Sequence, residues 1–340
     1  MKLLKQQAPL AFAFMATALV LVGVFQSWSL SLTILNYCLI ASIMSLGLNI
    51  QWGYAGLFNV GLMGFAALGG MSAVLVTMKP VPEAWAVGGA GIGMGIVTTV
   101  ATILLAIAAY RRLPKGYVRG WGMATVIVLG YFAARYFFDP ATNLIESVNP
   151  AQTGFLGGLG LPVWVAWAVG GVLAAGVAWV IGKITLGLRS DYLAIATLGI
   201  SEIIIAVLKN EEWLTRGVKN VNGIPRPMPY EYDLQQQVWA QEWAVWFGAD
   251  VQDFTSIYVK VCSAGLALSV LLVLYWLSQT AIKSPWGRMM RAIRDNETAA
   301  EAMGKHVTGR HLQVFILGSA VVGIAGAMMT TFDGQFTPTT

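Results

Sequence analysis

Residue types that commonly carry catalytic chemistry are few in this 340-residue sequence. The two histidines, His306 and His311, and the two cysteines, Cys38 and Cys262, do not have the spacing of a metal or redox motif. The HExxH and GxSxG patterns are both absent, so the sequence offers no nucleophile paired with a base. The sequence therefore offers no candidate active site for an intramembrane enzyme, which is one alternative function.

A phosphate-binding loop is also absent. The Gly182-Lys183 and Gly304-Lys305 pairs lack a glycine five residues before their own glycine and a Ser or Thr after the lysine. A Walker A loop needs both, because its backbone amides hold the phosphates and its hydroxyl holds the metal. We therefore expect this chain to bind no nucleotide, cofactor or metal of its own.

Charge is concentrated in one segment near the C-terminal end of the sequence. The chain has 21 basic and 16 acidic residues, and nine of these charges lie between Lys283 and Arg310. Within this segment we predict a helix of about two turns over residues 295–304, which is too short to span a membrane. A short helix with exposed small residues is suited to docking into a groove on another protein.

The ends of this predicted helix have recognisable signals. Thr298 followed by Glu301 fits a capping box, and Asp295 or Asn296 is an alternative N-cap. Gly304 is a suitable C-terminal stop. The spacing also places Ile293, Ala300 and Met303 on one small apolar face, beside the two glutamates of the helix.

The composition of the chain is that of a membrane protein. Hydrophobic residues make up 57% of it and charged residues 11%, whereas a soluble domain has about a quarter charged residues. Long apolar runs without strand-like alternation predict an all-α, polytopic transmembrane bundle in the lipid bilayer. The net charge of +5 is attributed to membrane orientation and not to nucleic-acid binding. Nine spans are predicted, at about residues 8–26, 30–50, 55–78, 84–109, 120–138, 162–182, 192–208, 256–278 and 312–332.

Charge asymmetry predicts the orientation of these spans. With a cytoplasmic N-terminus, 14 of the 21 basic residues fall in inside loops and 11 of the 16 acidic residues fall outside. The chain is then one transmembrane domain, 1–340, with outer loops at 139–161 and 209–254 and a cytoplasmic loop at 279–311. Orientation alone explains Arg288, Arg291 and Arg294.

Two of the spans suggest broken or short helices near the centre. The third, counted from Gly53 just before it, contains six glycines and Asn59, and the seventh is short and contains Glu202. Glycines in a span indicate either close helix packing or a broken helix beside a cavity, and both interpretations stay open.

Several stretches together resemble a known family. "ETAAEAMGKHVTGRHLQVFILGSA" resembles the Glu-Ala-Ala cytoplasmic loop of ABC importer permeases. With "SLGLNIQWGYAGLFNVGLMGFAALGG", "LRSDYLAIATLGISEII", "LTRGVKNVNGIPRP" and "SPWGRMMRAIRDNETAAEAMG", it resembles a permease subunit of the branched-chain amino acid importers. The resemblance runs from about residue 45 to residue 340, with a less familiar insertion near 84–160. Family members usually continue through further spans, so we expect this sequence to be truncated.

The resemblance implies a transport subunit of the bacterial inner membrane. Its partners would be a second homologous permease subunit, two ATPase subunits that bind ATP and Mg, and a periplasmic substrate-binding protein. The ATPases would engage the 295–304 helix, where the residues implied in coupling are Asp295, Glu297, Ala299, Ala300, Glu301 and Gly304.

A substrate path for an apolar amino acid needs apolar walls with a few polar groups. The candidates are Asn49, Tyr54, Asn59, Thr197, Ser201 and Glu202. An ionisable side chain in a membrane usually faces a cavity, which favours Glu202; the alternative is an interfacial residue near Lys209. A urea or short-chain amide importer and an ion-coupled secondary transporter are the alternative functions.

Overall fold

The computed structural model describes residues 2–114, 116–148, 154–188 and 190–338. The helices along the chain are α1 (Lys2–Phe25), α2 (Trp28–Leu48), α3 (Leu62–Thr77), α4 (Pro82–Arg112), α5 (Tyr117–Ser147), α6 (Val163–Thr185), α7 (Ser190–Asn210), α8 (Glu212–Thr215), α9 (Glu231–Gln235), α10 (Val238–Phe247), α11 (Val251–Lys283), α12 (Pro285–Asp295), α13 (Glu297–Ala302) and α14 (Val307–Asp333). A π-helix, Asn49–Tyr54, continues α2, and a 3-10 turn, Gly217–Lys219, follows α8. The strands β1 (Val221–Asn222) and β2 (Gln335–Phe336) pair antiparallel.

The predicted helical membrane bundle is confirmed. Seven helices within the described residues are long and apolar enough to cross a membrane, and the apolar stretches Pro9–Phe25 and Leu62–Thr77 are shorter. Each of the nine predicted segments lies largely on one of these nine helical stretches. The chain is a multi-pass membrane protein.

Helix α14 lies at the centre of the bundle and packs against α2, α3 and α6. Small residues make this packing close: a Cβ atom at Gly69 in α3 would overlap the Gly323 carbonyl oxygen in α14, and one at Gly326 would overlap Ala66. Backbones approach in this way where glycines face each other across a helix pair. Close packing therefore accounts for part of the glycine content of the third predicted span.

A broken helix accounts for Gly56, and it corrects the predicted bounds of that span. Helix α3 begins at Leu62 and not at residue 55, because the chain leaves the π-helix at Tyr54 and runs without helix through residues 56–61. Gly56 has a φ of 75°, a backbone conformation that glycine adopts without strain. This break is the interrupted helix that the composition suggested.

The seventh span and the first outer loop also differ from their predicted bounds. Helix α7 has 21 residues and is not short, because it continues to Asn210. Helix α5 extends to Ser147, nine residues into the predicted loop 139–161, because Ala141 and Ile145 pack against α4. Residues 149–153 of that loop lie outside the described residues, as do Lys115 and Arg189 of the orientation count. The predicted outer loop 209–254 contains the short helices α8, α9 and α10.

Candidate coupling site and helix break

The predicted two-turn helix at 295–304 is shorter than expected and follows a second helix. Helix α12 ends at Asp295, and α13 covers Glu297–Ala302. Asn296 separates the two because its side-chain oxygen accepts a hydrogen bond from the Ala299 amide at 2.9 Å, which makes it the N-cap of α13. Gly304 follows with a φ of 74°, as its predicted role of helix stop requires.

Helix α13 presents most of its predicted coupling residues on the surface. Asp295, Glu297, Ala299, Glu301 and Gly304 are exposed. Ala300 faces inward, into the same apolar cluster as Ile293. The predicted apolar face is therefore wrong for its third member, because Met303 is 79% exposed.

Two polar contacts connect this segment to the transmembrane helices. The Glu297 carboxylate lies 3.9 Å from Nδ1 of His311 in α14. His311 is buried, and among the described residues its Nε2 atom has no hydrogen-bond partner. Arg294 of α12 donates a hydrogen bond to the Gly53 carbonyl oxygen in the π-helix. Orientation alone therefore does not account for Arg294, and His311 is not a solvent-exposed loop residue.

A small cavity of about 140 Å³ lies between these contacts. Arg294, Glu297 and His311 line it together with Gly56 and Leu57 of the helix break. The charged segment and the break are therefore neighbours in the fold, although about 240 residues separate them in the sequence.

A buried amide network holds the break in place. Gln51 of the π-helix donates to the Phe315 carbonyl oxygen at 2.9 Å and to the Ser319 hydroxyl at 3.0 Å. Asn59 donates to Oε1 of Gln51 at 2.8 Å and accepts from the Gly61 amide at 2.9 Å. Because all these groups are buried, their hydrogen bonds replace those lost where the helix is interrupted.

Thr197 and Ser201 of α7 bind the other side of the break. The Val60 amide donates to Thr197 Oγ1 at 3.2 Å, and the Gly64 amide donates to Ser201 Oγ at 2.7 Å. The Gly64 amide lies in the first turn of α3, where backbone N–H groups have no partner within the helix. The two hydroxyls therefore stabilise the start of α3 from outside it.

The remaining predicted pathway residues are not part of this network. Asn49 and Glu202 are exposed, and Tyr54 is half-buried. Among the described residues, Glu202 has no hydrogen-bond or ion-pair partner. Its neighbour Ser201 is the side chain that faces α3. Whether any of the six residues meets a substrate stays a prediction.

Sequence reasoning missed Gln51 and Ser319, both fully buried, and the contacts made by Arg294 and His311. A glutamine inside an apolar run was a usable signal, because a buried amide requires partners. The partners themselves are more than 260 residues away in the sequence.

Comparison with known proteins decides the family. The family model described as branched-chain amino acid transport system / permease component matches residues 120–339. This chain belongs to that permease family. The matched range contains helices α6 to α14 entire and nearly all of α5, and hence the charged segment from Lys283 to Arg310, whereas the π-helix precedes it.

Individual members of the permease family are similar over longer or shorter stretches. LivM of Salmonella typhimurium strain LT2, described as a high-affinity branched-chain amino acid transport system permease protein, is 28% identical over 220 residues, 64% of this chain and 49% of its own. LivM of Escherichia coli K12 has the same identity and coverage. A probable branched-chain amino acid transport permease protein LivM of Methanocaldococcus jannaschii is 23% identical over 300 residues, 85% of this chain and 64% of its own.

The chain thus spans about half the length of the two bacterial relatives. No solved structure matches it. The match to the archaeal permease covers 85% of the chain, and the family resemblance seen in the sequence motifs is confirmed.

Proposed function

We propose that this chain is a permease subunit of an ABC importer that carries branched-chain amino acids across the bacterial inner membrane into the cytoplasm. The observation that carries the proposal is the connection between the exposed helix α13 and the broken helix in the bundle. In this proposal, partner ATPases dock on α13, and their conformational change is transmitted through α12 and α14 to the break.

Two routes connect the docking surface to the break. In the first, Arg294 of α12 holds the Gly53 carbonyl of the π-helix directly. In the second, Glu297 contacts His311, and Phe315, four residues later in α14, accepts a hydrogen bond from Gln51. Both routes end on the same six-residue π-helix, an element found frequently at functional sites.

The break is a suitable element for such a movement. Its backbone is held by side-chain amides and hydroxyls and not by a continuous helical ladder, so its hydrogen bonds can be exchanged without unfolding a helix. Interrupted helices of this kind line transport pathways in membrane proteins. A displacement of α12 relative to α14 would change the hydrogen bonds of Gln51 and Asn59 and so the conformation of the break.

The relatives are branched-chain amino acid transport permeases, which supports branched-chain amino acids as the substrate and does not favour the urea or amide alternative. We assign ATP hydrolysis, with bound ATP and Mg, to two separate ATPase subunits, because the sequence has no Walker A loop. A second permease subunit and a periplasmic binding protein complete the proposed importer. This chain then has a transport role and no catalytic one.

Purification and uptake test the proposal together. A complex extracted through a tag on this chain is expected to contain an ATPase subunit and, after reconstitution with the binding protein, to accumulate radiolabelled leucine but not urea when ATP is supplied. A complex without any ATPase, or uptake that needs no ATP, contradicts the proposed function.

A further inference from the structure

A cavity of about 250 Å³ lies between α2, α6, α11 and α14. It is near the helix ends that the orientation count places outside, and residues 226–231 of the outer segment contribute to its lining. None of the predicted pathway residues lines this cavity. Its volume is slightly below the roughly 300–1,000 Å³ of sites for drug-sized ligands, which suits a molecule of amino-acid size.

One side of this cavity is apolar and rigid. Ile40, Trp167, Val259, Ala267 and Met328 line it, and all five are buried. They come from all four surrounding helices, so the wall is formed by the packed bundle and not by a loop. Such a wall accommodates a branched aliphatic side chain through dispersion contacts and exclusion of water.

The other side of the cavity carries two opposite charges on transmembrane helices. Lys260 of α11 donates to the hydroxyl and carbonyl oxygens of Ser29, and Asp333 of α14 accepts from the Tyr37 hydroxyl at 2.6 Å. These partners are neutral, and within the described residues neither Lys260 nor Asp333 forms a salt bridge. Charges in a membrane are costly without counter-charges, and they commonly mark substrate paths.

A third polar group completes this side. Asn36 lines the cavity and is 1% exposed. Its amide nitrogen donates to the Leu32 and Lys260 carbonyl oxygens, whereas its Oδ1 atom has no hydrogen-bond partner among the described residues. An unpaired buried acceptor on a residue that lines the same cavity as the Asp333 carboxylate is suited to an ammonium group, which brings three donors.

We propose that this cavity binds one free α-amino acid with a branched apolar side chain, its carboxylate on Lys260 and its ammonium on Asp333 and Asn36. A zwitterion offers Lys260 a carboxylate and Asp333 an ammonium group at once, and its side chain fills the apolar wall. The proposal rests on the proposed import function and extends it by naming a substrate site at the outer side of this chain. Arg226 and Glu231, both in the predicted outer loop 209–254, also line this cavity and form an ion pair with each other at 3.7 Å.

Equilibrium binding of tritiated leucine tests this site. The membrane complex is purified through a tag on this chain and placed in nanodiscs of phosphatidylglycerol, because a zwitterionic lipid headgroup would offer the same pair of charges as leucine. Lys260→Met and Asp333→Asn are each expected to weaken leucine binding about tenfold or more, the cost of losing a hydrogen bond to a charged group. Arg135→Met and Asp139→Asn are matched controls, since they remove an exposed charge pair of α5 that is not part of the cavity lining, and they should leave binding unchanged.

Two leucine analogues distinguish recognition from a structural role. Leucinamide lacks the carboxylate and 4-methylpentanoate lacks the ammonium group, so both should bind the unaltered complex more weakly than leucine. Lys260→Met should abolish the preference for leucine over leucinamide, and Asp333→Asn should abolish the preference over 4-methylpentanoate. A general loss of structure would instead weaken the binding of all three ligands alike. Gel filtration of each variant detects such a loss, and Lys260→Gln serves as a second variant at the same position.

The outcomes separate this site from the import function. If the complex imports leucine but binds none in nanodiscs, or if both charge variants retain normal binding, the site is wrong and the import function stands. An analogue that binds the unaltered complex as tightly as leucine also overturns the site, without any variant. If the complex binds leucine but does not import it with ATP, the import function is wrong.

Discussion

The Arg294 guanidinium donates a hydrogen bond to the Gly53 carbonyl oxygen. This bond joins α12, in the predicted cytoplasmic segment, to the π-helix that interrupts the bundle. Gly56, at the start of the break, lies close enough that a Cβ there would press on the Arg294 side chain. A surface helix and a membrane helix are therefore mechanically connected through one charged side chain.

Arg294→Ala is expected to reduce leucine uptake about tenfold while ATP hydrolysis continues. The substitution removes a hydrogen bond from a charged donor, worth about 1.5–3 kcal/mol, between the docking segment and the break. Uptake and phosphate release by the reconstituted complex are measured in parallel. Arg291→Ala is the control, because among the described residues the Arg291 side chain bonds within its own helix, to the Gly287 carbonyl oxygen; equal loss in both variants contradicts the prediction.

Glu297→Lys is expected to abolish uptake and transport-coupled ATP hydrolysis without loss of membrane insertion. Glu297 is exposed for docking, and its side chain is 61% accessible beside the buried His311. Lysine reverses the charge presented to the partner and places a cation beside that histidine. Glu242→Lys on α10, an exposed residue of the predicted outer segment, is the control. Normal uptake by the Glu297 variant would exclude a docking role for α13.

Gln51→Met is expected to lower the thermal stability of the purified protein. The methionine keeps the side-chain volume but leaves the Asn59 amide and the Ser319 hydroxyl without their buried partner, at about 1–3 kcal/mol for each unsatisfied group. Fluorescence-detected unfolding in detergent reports the midpoint. Gln241→Met, which removes an exposed hydrogen bond, should leave the midpoint unchanged, and a similar midpoint for both variants argues against the network.

Gly69→Ala is expected to destabilise the bundle, whereas Gly93→Ala is neutral or slightly stabilising. A methyl group at Gly69 would overlap the Gly323 backbone, while one at Gly93 meets nothing within 4 Å. Overpacking of this kind costs about 1–3 kcal/mol. The two variants are compared by unfolding midpoint and by the amount of folded protein after extraction; the same result at both positions contradicts close α3–α14 packing.

Much of the fold could be predicted from the sequence, because membrane insertion is a local property. An apolar run long enough to cross the bilayer must satisfy its backbone internally, so it becomes a helix wherever it lies in the chain. Each of the nine predicted spans lies largely on a helix for this reason. The short helix α13 was also predictable, since Asn296 and Gly304 act on their immediate neighbours.

Tertiary structure alone decided which polar groups meet. Gln51 finds its partners in α14, Arg294 finds Gly53 across about 240 residues, and Lys260 and Asp333 line one cavity. Helix periodicity assigns a residue to a face of its own helix but not to a neighbouring helix, because that choice depends on the close packing of small residues across the whole bundle. The sequence alone determined a helical membrane permease with an exposed short helix near residues 295–304; how that helix is linked to the break followed from the packing of α14.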